Sequence, residues 1–264
     1  MLLLVVAGTG CGDKDQMEFT DWLIIEAYLS PGNCFCVRVS RQVPFSEDVE
    51  YSQDNIDSLK LYIRCDDSSF IINATGNGYY TDSTLIVTEG DEYDLSLIFN
   101  EKEVSAYTYI PAKPQNFEQS ETSIEIERMD STSTGFPPGG GSMPDPVSLT
   151  WDNDDNSYYL IVVENLEDSL DAIRDFGDED PPDNIFRKSP NTSTSEELRS
   201  NDFQYYGTHR IILFHVLPDY AALYDQSSNS SQDLRNPSTS ISNGYGIFTG
   251  MNTDTLFVEV IEDK

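Results

Sequence analysis

Apolar side chains recur at every second position through most of this 264-residue chain, and turn residues interrupt the alternation about every 8 to 12 positions. A period of two places successive side chains on opposite faces of an extended strand. A chain written this way buries its apolar face by stacking one sheet on another. Residues 22–29 read WLIIEAYL, with Leu23, Ile25, Ala27 and Leu29 on one face. Pro31, Gly32 and Asn33 then turn the chain into Phe35, Val37 and Val39. Further strands are expected at 59–63, 70–72, 84–87, 93–99 and 104–110, and Pro111 and Pro114 close the unit. About seven strands in roughly 95 residues is the count of a small β-sandwich.

The second half opens with Ile124 and Ile126 in SIEIERM, followed by a stretch rich in Gly, Pro, Ser and Thr over 131–146. Strands are expected at 147–151 and 158–163, joined by DNDDNS, and a short helix at 167–174 in an acidic segment. Residues 189–200 read as a polar loop and 205–216 as a long strand. Pro218 suits the first turn of a helix whose Tyr220, Leu223 and Tyr224 share a face. A further polar loop at 227–242 precedes two closing strands at 245–248 and 255–261. The expected fold is therefore all-β, with two β-sandwiches of immunoglobulin- or prealbumin-like kind and one short helix in the second.

Charge removes one class of partner. Fifteen Lys and Arg against 47 Asp and Glu leave a net charge of −32, which repels phosphate backbones and excludes nucleic acid. Of the four cysteines, Cys34 and Cys36 lie on one side of a strand with Cα atoms about 7 Å apart, too far for an unstrained bridge. They share a solvent face with Arg38 and Ser40, whereas Cys65 shares a core face with Leu61 and Ile63. No disulfide framework is expected.

The fourth cysteine, Cys11, has a different setting. An apolar run over 2–7 leads through Gly8, Thr9 and Gly10 to Cys11, and Asp13, Lys14 and Asp15 follow. This is the order of a bacterial lipoprotein signal, although Gly8 stands where Leu or Val is usual. The run is far below the roughly 18 to 20 residues that span a bilayer. Cys11 is thus the candidate lipid-attachment residue, with 1–11 as signal, 12–17 as tether, 18–112 as the first sandwich and 113–264 as the second, with long acidic loops.

The segment LIIEAYLSPGNCFCVRVSRQVPF (23–45) resembles the opening of a Bacteroidota lipoprotein family known as domain of unknown function 4249. GNGYYTDSTLIVTEGDEYDLSLIF (76–99) is similar to its Gly-x-Tyr strand and Gly-x-x-Tyr-x-Leu segment. NPSTSISNGYGIFTG (236–250) is similar to its C-terminal Asn-Pro, Ser-Asn and Gly-x-Phe-x-Gly segment. The resemblance implies an outer-membrane lipoprotein of two β-sandwich-like domains, encoded by genes that often neighbour TonB-dependent receptors. It implies no catalytic residue.

The remaining constellations are weak. Asp152, Asp154 and Asp155 with Asn153 and Asn156 offer oxygen ligands suited to calcium, but without the glycine and later glutamate of an EF-hand they read as a polar turn. Residues 175–183 read as a solvated acidic loop. His209 and His215, six residues apart on one strand, stand roughly 20 Å apart and cannot share a metal. No nucleophile elbow, zinc helix or phosphate loop is present. In the pairs Tyr79-Tyr80, Tyr158-Tyr159 and Tyr205-Tyr206, one ring is expected in the core and one at the surface. Three Asn-x-Ser/Thr matches, at Asn73, Asn191 and Asn229, read as chance. The expected function is non-catalytic binding without cofactor or metal, as an accessory associated with a TonB-dependent receptor in nutrient uptake or surface assembly. A calcium-dependent adhesin and a glycan or peptide hydrolase are the alternatives. The irregular segments 131–146, 175–200 and 227–242 are the expected contact loops, all in the second domain.

Overall fold

The computed structural model describes residues 21–42, 54–129, 144–177, 180–225 and 239–263. Cys11 and Asn229 lie outside these residues, as does most of 131–146 and of 227–242. The first half supplies β1 (Leu23–Leu29), β2 (Cys34–Arg41), β3 (Leu61–Cys65), β4 (Ser68–Ile72), β5 (Ala74–Gly76), β6 (Tyr79–Ile86), β7 (Glu92–Phe99) and β8 (Lys102–Tyr109). The second supplies β9 (Glu118–Gln119), β10 (Ser123–Glu127), β11 (Val147–Thr150), β12 (Tyr158–Asn165) and β13 (Ile185–Arg187). It continues with β14 (Ser195–Leu198), β15 (Gly207–Val216), β16 (Ile241–Ser242) and β17 (Tyr245–Asp263). Helix α1 (Asp54–Asp57) is a single turn, and α2 (Pro218–Asp225) begins at the proline.

These strands form two stacked pairs of sheets. In the first sandwich, β5, β6, β2, β1 and the first part of β17 face the sheet ordered β16-β8-β7-β3-β4. Between them lie Phe35, Tyr80, Tyr93 and Phe248, each fully buried. Phe35 meets Phe248 edge-on, with ring centroids 6.4 Å apart. In the second sandwich, β13, β12, β15, the rest of β17 and β10 face the small sheet β14-β11-β9. Its core gathers Leu149, Trp151, Ile211, Leu213 and Val258.

The strand β17 belongs to both units. Residues Tyr245 to Gly250 pair in parallel with Ile24 to Leu29, Met251 to Val260 pair antiparallel with β15, and Glu259 to Asp263 pair in parallel with β10. One nine-stranded sheet therefore runs through both sandwiches. Gly246 makes the close approach to β1 possible. Its φ is +106°, and a Cβ there would sit 2.0 Å from the Ile25 carbonyl oxygen.

Several expectations change here. The strands expected at 245–248 and 255–261 are one strand of 19 residues. Polar Asn252, Thr253 and Asp254 break the apolar alternation, yet their backbone continues the ladder with β15. Residues 241–250, placed by sequence after the domain boundary, lie in the first sandwich. The helix expected at 167–174 does not form. Its backbone groups are taken by tertiary partners, with Ile173 N–H donating to the Gln204 carbonyl and Tyr206 N–H to that of Asp171. The Ile173 N–H is thereby withdrawn from any helical ladder with the preceding turn. The polar loop at 189–200 contains β14, which pairs with β11 and buries Leu198 completely. On α2 the buried residue is Ala221, not Leu223, which is exposed.

Candidate functional site

The sheet β16-β8-β7-β3-β4 turns one face to the core and the other to solvent. Alternation sends Ile63, Tyr93, Leu95, Val104 and Ala106 inward. The outward residues fall into rows set by register. Tyr62 stands opposite Ile71 and Ser96, Ser96 opposite Ser105, and Ser105 opposite Ser242. The next row runs from Ser69 through Arg64 and Asp94 to Tyr107. Short side chains in the middle of a sheet face leave a hollow between taller neighbours. The result is an open trough of about 890 Å³.

The serines form its floor. Among the described residues, the hydroxyls of Ser96, Ser105 and Ser242 make no hydrogen bond to protein. The rings of Tyr62 and Tyr107 are 44% and 50% exposed, as is Ile71 at 57%. Arg64 donates from Nε and Nη2 to Asp94 Oδ2 at 3.0 and 2.6 Å. The carboxylate raises the guanidinium pKa further, first through this hydrogen bond and then through its charge. Partial desolvation, then the nearby Glu92, raises the Tyr107 pKa, which keeps the phenol neutral. The trough therefore presents free hydroxyls, two ring faces and one self-neutralised ion pair.

A second hollow, about 530 Å³, lies on the outer side of β11 and β14. Its central cation is engaged internally: Lys188 Nζ donates to Glu196 Oε1 at 2.9 Å and to the Glu197 carbonyl at 2.7 Å. Among the described residues, the hydroxyl floor of the first trough has no such internal partners.

The residues nominated from sequence are scattered. Asp152 Oδ2 accepts from Asn116 Nδ2 at 2.6 Å, Asp155 Oδ1 from its own turn at Ser157 N–H, and Asn153 Nδ2 spans to the Ser157 and Thr192 carbonyls. Among the described residues, no three His, Cys, Asp or Glu side chains gather as a metal set. His209 and His215 sit apart in the second core, the first against Phe203 and the second stacked on Tyr159. Cys34 and Cys36 are free and exposed, and Cys65 is free and buried. Tyr80 and Tyr159 are buried with outward partners, but Tyr205 and Tyr206 are both buried. Tyr205 departs from the expected pattern because it precedes β15 and its hydroxyl donates to the Pro182 carbonyl. The trough itself was missed. Its signal was serine at outward strand positions, Ser96 in DLSLIF and Ser105 in EVSAYTY, where bulkier residues are favoured.

Three comparisons bear on kinship. The sequence profile of a family described as Domain of unknown function (DUF4249) matches residues 13–256. No curated protein matches the chain. A crystal structure of a run of titin domains aligns over 74% of this chain and 59% of its own length, with 9% identity and a TM-score of 0.20. The chain thus spans about three-fifths of that solved structure. The profile match covers most of the sequence, and the chain belongs to the DUF4249 family.

Proposed function

We propose that this DUF4249 member is a lipid-anchored outer-membrane protein that acts by binding and not by catalysis, as an accessory to a TonB-dependent receptor in uptake or surface assembly. The observation that carries the binding role is the trough on β3, β7, β8 and β16, where uncommitted hydroxyls and exposed rings stand on a packed sheet. A rigid face of this kind holds its contact groups in place before a partner arrives, which lowers the ordering cost of association. The anchor rests on the apolar-small-Cys order ending at Cys11. Eleven residues separate Cys11 from Leu23, so the extended tether reaches at most about 40 Å. That length keeps the first sandwich close to the bilayer. The trough therefore shifts the expected contact surface from the second sandwich to the first.

Two measurements on the full-length protein test this reading. Labelled fatty acid should enter the wild type and not Cys11→Ser, and equal labelling would remove the anchor. Purification from native outer membranes should bring down a TonB-dependent receptor with the wild type. Recovery of the protein without any receptor, under conditions that preserve receptor complexes, would remove the partner.

A further inference from the structure

We propose that the trough is a binding site for a neutral oligosaccharide lying across the strands, an assignment that rests on the binding role above and names its ligand class. Charge points to this occupant first. The chain carries −32 overall, yet the trough holds only Arg64, Asp94 and Glu103 as charged side chains, and the first two neutralise each other. A polyanion would meet the repulsion of the whole surface. A polycation would find only Glu103 as an acidic side chain in the trough not already paired with Arg64. A neutral ligand escapes both effects.

The chemistry of the floor agrees. The hydroxyls of Ser96, Ser105 and Ser242 can both donate and accept, and within the described residues no protein group uses them. A sugar hydroxyl has the same dual character and can replace water at each serine without leaving a mismatch. The rings supply the apolar half of the contact, because a sugar's C–H face packs against an aromatic face. Tyr62 on β3 and Tyr107 on β8 flank β7, opposite Ser96 and Asp94 respectively. Two strand spacings separate their strands by about 10 Å. One sugar ring cannot cover both rings, so the fit is to an oligosaccharide that crosses the serine floor between them.

The test is affinity electrophoresis of full-length protein through gels containing soluble neutral glucan, mannan, xylan or arabinogalactan, with heparin and polylysine as charged comparisons. At least one neutral polysaccharide should retard the wild type. Tyr62→Ala and Tyr107→Ala should each weaken that retardation roughly three- to tenfold. Ser105→Phe, which fills the floor, should abolish it with an unchanged melting temperature. Tyr28→Ala should leave retardation unaltered, because Tyr28 lies outside the trough on β1 and is 49% exposed. No retardation by any neutral polysaccharide, or retardation indifferent to the Tyr62, Tyr107 and Ser105 changes, overturns the assignment. So does binding of heparin or polylysine that depends on those three residues. If fatty-acid labelling and receptor recovery succeed while no glycan binds, the anchoring reading stands and the ligand class falls. Glycan binding with equal labelling of Cys11→Ser gives the reverse.

Discussion

The imidazole of His209 shows how a single buried group couples this fold to pH. Its Nδ1 lies 3.0 Å from the Gly207 carbonyl, so this nitrogen carries the proton, and Nε2 faces the Asn165 amide nitrogen at 3.3 Å as an acceptor. That arrangement is complete for the neutral ring. Burial lowers the pKa below its ordinary 6.5, and this outweighs the opposing Gly207 hydrogen bond and the charges of Glu259 and Glu167. A depressed histidine pKa means that the unfolded chain binds more protons than the folded one. Its contribution is full above about pH 6.5 and is lost as pH falls through the folded value. In urea unfolding, wild type should therefore lose stability relative to His209→Asn as pH is lowered from about 7.5 to about 5. Parallel pH profiles for the two proteins would contradict this.

At the scale of the element, β17 carries the largest burden. Phe248 is fully buried between the sheets of the first sandwich and meets Phe35. Phe248→Ala should cost about 3–5 kcal/mol in urea unfolding, the range for emptying a large core position. Gly246 has no comparable side chain to lose, and there the damage comes from adding one. Gly246→Ala places a Cβ against the Ile25 carbonyl at a left-handed φ, so the parallel pairing with β1 must open. The expected result is a loss of soluble protein or a large drop in melting temperature. Gly90→Ala, also at positive φ but with open space around the added carbon, should cost much less. This element also shows the limit of pattern reading. The alternation of 245–248 and 255–261 was legible, but the polar residues between them hid the continuity, because a strand is held by backbone ladders that carry no sequence signature.

For the whole molecule, shared strands make the two sandwiches one folding unit. The sheet containing β1 and β2 receives β17 from the far end of the chain, and β8 receives β16. A fragment of residues 18–112 lacks both strands and the Phe248 ring. It should remain unfolded by circular dichroism, whereas the full chain should show one cooperative transition. A folded fragment would show that the central strand is dispensable. Charge acts at the same scale. With a net −32, self-repulsion opposes compaction, and added monovalent salt at fixed pH should raise the melting temperature by screening. Salt-independent melting would indicate that the local ion pairs, such as Arg128 with Asp171 and Glu262, already balance the field.

Local periodicity by itself determined the all-β class, most strand positions, the inward and outward faces around Cys34, Cys36 and Cys65, and the helix starting at Pro218. The strands and faces follow from the two-residue repeat and the helix from proline at its first turn, signals that act over a few neighbouring residues. The described parts of the three segments that carried the family resemblance, 23–42, 76–99 and 239–250, also meet in space, since β1, β2, β6 and the start of β17 are adjacent strands. Only the tertiary structure decided which strands became neighbours. It left 167–174 as irregular chain held by isolated bridges, drew 195–198 into a sheet, and extended β17 through both cores. It also made the trough. Ser96 and Ser105 sit on one hairpin while Ser242 is far along the chain, and each reads as an unremarkable polar position. They become one floor because cross-strand register aligns them, and register is set by the burial of Leu95, Val104 and Ala106 on the opposite face.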